Sequence, residues 1–431
     1  MTKDGSGEFA FIKETNKHKP INKRRVLLKT AFTVVMAVVF GMVACFVFTI
    51  MQPVMERWLH PEDESFVSIP RDDENGTDQT EDSEQGTEDV TDTEPVTDTE
   101  TPPPVESVDI SPEDYQKLQN KLYSVGTQAN KSIVTVTGVT SDLDWFNTPQ
   151  ERQGQASGII IADTAQEFLI LTERRVIQDA QSIHVTFVNN TTVDAYLKQY
   201  DGNTGIAILG VQRSAVDEAT MNRIEAASLG NSTLTTRGSV VLALGSPLGA
   251  NFSISVGTVT ATDNTVSTYD ANYSILTTDI VGSREGSGVL VNLSGEVIGI
   301  VIQDYGNDSG TLTALSISQL KDMIERLSNG RDIPYLGLKL STVTSYIQTA
   351  YDIPKGVYIK TVAMDSPAMA AGLQSGDVIV AVGGQEVDTV QGYRNRLSEL
   401  TPGTEVEIEI MRQGAQGYTG MSVTAVVGVL E

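Results

Sequence analysis

"GVLVNLSGEVIGIVI", residues 288–302, holds two β-branched runs either side of a turn signal. Val and Ile suit a pleated, packed surface, and Asn-Leu-Ser-Gly-Glu between them supplies turn residues. The same design recurs upstream. "SIVTVTGV" (132–139), "SGIIIA" (157–162), "EFLILT" (167–172), "SIHVTFV" (182–188) and "GIAILGV" (205–211) are followed by "GSVVLALG" (238–245) and "ISVGTVTA" (254–261). Short strands at this spacing predict an all-β barrel or sandwich from about residue 112. Helical periodicity is confined to 112–125 and to "SISQLKDMIERLSNG" (316–330), an amphipathic run ending at Gly330.

The chain has 431 residues, enough for two or three domains. Its formal charge of −26 argues against nucleic acid, because phosphate backbones are held through Lys and Arg. The single cysteine, Cys45, excludes an internal disulfide and a Cys-based zinc site. Three histidines, His18, His60 and His184, leave little for metal ligation or proton transfer; no cofactor and no metal is implied.

Residues 30–51 carry no charge and are long enough to span a hydrocarbon core at ~1.5 Å per residue. The bulky "FTIMQPVM" that follows is a poor cleavage site, so the run is expected to remain as an anchor. Lys13, Lys17, Lys19, Lys23, Arg24, Arg25 and Lys29 precede it, which predicts a cytoplasmic tail (1–29) and everything later outside. Residues 61–106 hold seventeen acidic residues and one basic, Arg71. Such a tract buries too little apolar surface to offset chain entropy, so 52–111 is expected to be an extended, disordered linker.

A second unit follows from about 331, with "IPYLGLKL", "KGVYIKTV" and "VEIEIMRQG" as strands and "VQGYRNRLSEL" as a helix. The phrase "DSPAMAAGLQSGDVIVAVGGQEV" (365–387) resembles the PDZ domain appended to HtrA/DegP-type serine proteases. "LALGSPLGANFSISVGTVTA" (242–261) and the opening stretch, with "TTDI" at 277–280 before it, are similar to the chymotrypsin-like barrel of the same family. The resemblance covers roughly 112–431. It implies a mainly β protein: a double β-barrel (112–330), then an α+β PDZ domain (331–431), behind an N-terminal transmembrane helix. It also implies barrel-mediated homotrimers, for which Trp145 and Phe146 are either contacts or packing within their own loop.

A triad needs a hydroxyl, an imidazole and an orienting carboxylate. Where the family places its base, this chain reads Leu171-Thr172-Glu173-Arg174-Arg175-Val176-Ile177. Arg175 is permanently charged and has no acceptor lone pair, so it cannot take a proton. The carboxylate position in Asp201-Gly202-Asn203-Thr204-Gly205 falls on Gly205. In "GSREGSGVLVN" (282–292) the serine column falls on Gly286 counted from one side, and Ser287 is the nearest hydroxyl. His184 alternates with Ile183, Val185 and Phe187, which places it on the outer face, nine residues past the base position. Arg175 is expected either to plug the old site, with Glu285 as its partner, or to be an ordinary surface arginine.

The resemblance implies that Tyr335-Leu336-Gly337-Leu338 is the carboxylate-binding loop, with Leu336 and Leu338 lining the first side-chain pocket. Tyr393 and Leu397, at i and i+4, form one apolar helix face, turned to the groove or to the core. Three functions follow: a membrane-tethered pseudoprotease that binds polypeptide C-termini, an active endopeptidase using Ser287 with a non-standard base, or a structural surface-displayed protein.

Overall fold

The computed structural model describes residue 36, residues 66–72, 111–143, 149–302 and 310–430. After a helix at Pro112–Ala129, the chain forms twelve strands in two closed barrels. The first contains β1 (Ile133–Leu143), β2 (Pro149–Asp163), β3 (Glu167–Glu173), β4 (Ser182–Thr186), β5 (Thr192–Tyr200) and β6 (Ile206–Gln212). The second contains β7 (Val240–Ser246), β8 (Ser253–Ser267), β9 (Asn272–Val281), β10 (Ser287–Val291), β11 (Val297–Val301) and β12 (Thr311–Ser316). The opening stretch is the β10–β11 hairpin, with Gly288 opposite Val301.

Alternation along the strands feeds two cores at once. Phe168, Ile170 and Leu209 fill the first barrel, while Leu169, Leu171 and Ile208 point the other way. In β7, Val241 and Ala243 fill the second barrel, and Leu242 and Leu244 face outward. The outward residues of both barrels meet in one shared cluster, closed by Leu320 and by Met323, Ile324 and Leu327 from the helix Lys321–Ser328 that follows it. Strands buried on both faces read as continuous apolar runs, which is why "EFLILT" and "VVLALG" lack alternation.

Both helical stretches expected from the sequence are present. The first is fixed by a capping box in which Ser111 accepts from the Asp114 N–H and Asp114 reaches back to the Ser111 N–H. The second follows a 3₁₀ turn at Ile317–Gln319. Residues 66–72 of the acidic tract lie against this second helix. The Asn329 side chain accepts from the Val67 N–H and donates to its carbonyl, and Glu325 accepts from the Ile69 N–H. Ile69 enters the shared core, and Lys321, almost fully buried, pairs with Asp72 at 2.7 Å. The sequence "FVSIPRD" is an apolar island in that tract, and burial of Ile69 and Val67 offsets the cost of ordering it.

The second domain has a main sheet in the order β14 (Leu338–Thr342), β15 (Val357–Val362), β16 (Val378–Val382), β18 (Glu405–Gly414), β19 (Gly417–Val426), with β17 (Gln385–Glu386) paired to β16. A short ladder joins β13 (Pro334–Tyr335) to β20 (Gly428–Val429). The helix Val390–Ser398 packs on this sheet through Val390, Tyr393 and Leu397. The fold class inferred for both domains therefore stands.

Apart from Met36, the apolar run 30–51 lies outside the described residues, as do Trp145 and Phe146. Among the described residues no helix is long and apolar enough to cross a membrane.

Candidate functional site

Two places could do chemistry: the corner where a triad would sit, and the Tyr335–Leu338 loop. At the corner, β3 ends at Glu173 and the chain turns into a single helical turn, Arg174–Ile177. Arg175 Nε lies 2.6 Å from Glu173 Oε2, and Glu173 is buried. The partner expected for Arg175, Glu285, is instead exposed in the turn before β10. Two residues along the chain outcompete a loop across the cleft, because burial of the Glu173 carboxylate demands a nearby cation. Arg174 stacks on Tyr200, with its guanidinium carbon 3.8 Å from the ring centre.

Gly205 stands at φ +74, and its carbonyl accepts from the Arg174 N–H at 2.7 Å. The nearby carboxylate, Asp201, is spent on its own turn, accepting from the N–H groups of Asn203 and Thr204 and from the Thr204 hydroxyl. Ser287 opens β10 opposite Ser246 and is buried. Its Oγ accepts from the Ser157 N–H at 2.7 Å, and Ser157 Oγ donates to the Ser287 carbonyl at 3.3 Å. The amide before it is also committed, since the Gly286 N–H donates to the Ser283 carbonyl. Among the described residues the one histidine is His184, whose ring nitrogens face Asp194 Oδ1 (2.9 Å) and Ser182 Oγ (3.2 Å) on the outer face of β4. The structure thus does not bring an imidazole to Ser287. Its hydroxyl stitches one barrel to the other. Ser287→Ala should leave the Ser157 N–H unsatisfied and cost about 1–3 kcal/mol of stability, read as a lower melting temperature.

The Tyr335–Leu338 loop presents three consecutive N–H groups to one point. The Leu336 and Gly337 N–H groups donate to Asp270 Oδ2 at 2.8 and 2.7 Å, and the Leu338 N–H donates to Oδ1 at 3.1 Å. The Tyr393 hydroxyl donates to Oδ1 at 2.8 Å. Gly337 makes this possible: it stands at φ +90, and a Cβ there would lie 2.5 Å from Ser366 Cβ. Burial pushes the Asp270 carboxyl above the usual carboxylate range, against the pull of the four donors. Burial, reinforced by Asp270, raises the Tyr393 phenol well above its ordinary value, so it remains a donor. Burial and Asp270 together push Tyr335 up to about 12. Leu336, Leu338, Tyr393 and Leu397 all lie in the domain core. They shape the loop from beneath.

The sequence matches the trypsin-like peptidase domain family over residues 156–300 and the PDZ domain family over residues 334–419. It is 28% identical to the serine protease Do-like HtrA of Bacillus subtilis, over 68% of this chain and 68% of that protein. It is 29% identical to a probable periplasmic serine endoprotease DegP-like of Chlamydia trachomatis, over 64% of this chain. The match spans 56% of the length of that relative. The fold is similar to that of the HtrA-type protease AlgW solved with a decapeptide, at a TM-score of 0.52 and 22% identity, covering 72% of this chain and 99% of that one. The chain belongs to the HtrA-like serine protease family.

In this HtrA-like chain the loop legible in the sequence is the one whose amides converge. The residue that sequence reasoning missed is Asp270, which belongs to the peptidase domain and reaches the PDZ domain from the turn between β8 and β9. In "STYDAN" it reads as an ordinary turn aspartate, tolerant of its φ of +58. Nothing local signals that its carboxylate is aimed at a second domain.

Proposed function

We propose that the chain is a membrane-anchored HtrA-like pseudoprotease. Its domains after residue 51 lie outside the cytoplasm, and its PDZ domain binds polypeptide C-termini, in protein quality control of the cell envelope. The observation that carries this reading is the loop itself: three main-chain N–H groups and a tyrosine hydroxyl converging on one carboxylate. A polypeptide's terminal carboxylate is the ligand that such a nest of amides recognises, with the rest of the peptide added as a strand along β14. β14 ends the sheet order, so no neighbouring strand of the described sheet pairs with its outer edge, where such a strand would add.

The loss of hydrolysis is supported by the Arg175–Glu173 pair at the base position and by the Ser157 amide on the Ser287 oxygen. A serine hydroxyl without a base is a weak nucleophile. The anchor rests on the apolar run 30–51 and the basic residues before it, and the periplasmic naming of relatives such as that of Chlamydia trachomatis agrees with that side of the membrane. A homotrimer is the assembly that the family resemblance implies.

Two measurements on the full-length chain test this. Unfolded casein should remain intact, and Ser287→Ala should change nothing in that assay. Fluorescein-labelled decapeptide pools with a free C-terminus should bind more tightly than the same pools capped as amides. Casein cleavage abolished by Ser287→Ala would make the chain an active endopeptidase. Equal binding of acid and amide pools would leave a structural role.

A further inference from the structure

Asp270 does more than fill the cradle. Its own N–H donates to the Leu338 carbonyl at 2.6 Å while its carboxylate takes the N–H groups of Leu336, Gly337 and Leu338. Two residues on, the Asn272 side chain donates to the Leu340 carbonyl at 3.5 Å. A carboxylate on the loop amides, a main-chain donor on the first carbonyl of β14 and a donor on the carbonyl two residues further are the contacts that a bound C-terminal segment makes by strand addition. We propose that Asp270 is a built-in ligand of the PDZ domain, and that an incoming polypeptide C-terminus must displace it, parting the PDZ domain from the β8–β9 hairpin.

The hairpin tip is held to both sides. Asn203 donates to the Tyr269 carbonyl at 2.5 Å and accepts from the Tyr269 N–H, fixing the tip to the first barrel. The Tyr269 ring meets Tyr335 edge-on at 6.2 Å, and Lys339 Nζ lies 5.3 Å from the Tyr269 ring centre. Arg394, on the helix Val390–Ser398, donates to the Gln319 carbonyl and lies over Tyr273. These contacts keep the aspartate within reach, so it competes at a high effective concentration whatever its intrinsic affinity.

Two features make the plug displaceable. Its carboxyl is taken out of water, and that desolvation opposes the hydrogen bonds it gains. Its backbone also stands in the left-handed region, tolerated by aspartate but not favoured. A peptide terminus brings the same carboxylate, adds further strand hydrogen bonds along β14 and carries no such constraint.

This inference rests on the peptide-binding reading, and its test separates the two. Full-length wild type, Asp270→Ala and Asp270→Asn would be compared. Asn is close to Asp in size and suits the same turn, so the comparison does not depend on Ala alone. Hydrogen exchange over 335–340 is the first readout, and anisotropy of the free-acid and amidated decapeptide pools is the second. Removing the plug should speed exchange at the loop amides and tighten free-acid binding at least ~tenfold, because apparent affinity scales with the fraction of open sites. Exchange and affinity unchanged in both folded variants would overturn the plug and leave peptide binding standing. Faster exchange with no free-acid preference in any variant would overturn peptide binding and retain Asp270 as the occupant.

Discussion

Gly337→Ala, made in the Asp270→Ala background where no internal carboxylate competes, is expected to lower affinity for free-acid decapeptides by two to three orders of magnitude. The new Cβ would lie 2.5 Å from Ser366 Cβ and 2.8 Å from the Tyr335 hydroxyl oxygen, both much too close. The backbone at φ +90 is in a region that a side chain disfavours, so the loop must rotate. Rotation takes the Gly337 N–H and at least one neighbour off the carboxylate. Hydrogen bonds to a charged group are worth ~1.5–3 kcal/mol each, so losing about two at the lower end of that range accounts for ~3–4 kcal/mol, the expected two to three orders. Amidated peptides, which never had the full set, should lose far less. A Gly337→Ala chain that binds the free acids as tightly as its parent would place the site elsewhere.

Arg412→Met is expected to destabilise the PDZ domain by ~3–5 kcal/mol, the cost of leaving a buried carboxylate without its partner. Asp377 is almost wholly buried at the head of β16 and is held by Arg412 Nε and Nη2, both at 2.7 Å, and by the Gln374 N–H. The same guanidinium donates to the Gly372 carbonyl. For a domain of this size the melting temperature should fall on the order of 15 °C. Pairing the change with Asp377→Asn removes the buried charge and should recover part of the loss. A single Arg412→Met chain that melts with the wild type would show that Asp377 finds another partner.

The strands were legible because strands buried on both faces spell long branched runs, which left a barrel or a sandwich open; the resemblance to the HtrA/DegP-type family implied the double barrel. The proposed loss of the triad was drawn from the sequence because Arg175 and Gly205 are the wrong chemical types for a base and its orienting carboxylate, whatever their surroundings. What each displaced residue does instead was not. Glu173 ends an apolar strand, and a lone carboxylate closing "EFLILTE" was the available signal that Arg175 would be claimed by its neighbour. The docking of 66–72 was hidden by the charge around it, although Phe66, Val67 and Ile69 break that charge. Tyr393 and Leu397 were correctly paired on one face, but spacing alone does not say whether a face looks at a groove or at a core. Asp270 lies 67 residues before Gly337, and no periodicity joins a turn in one domain to a loop in the next.

The alternation that sends Leu169 and Leu171 one way and Phe168 and Ile170 the other has a further consequence for divisibility. A shift of one residue in β3 would exchange the lining of one barrel with the seam between the two, so neither barrel tolerates a slip on its own. Severed between 213 and 239, either half would turn its seam residues to water. The peptidase domain is therefore indivisible, two separately closed cylinders, each of which needs the other to keep its outer side dry.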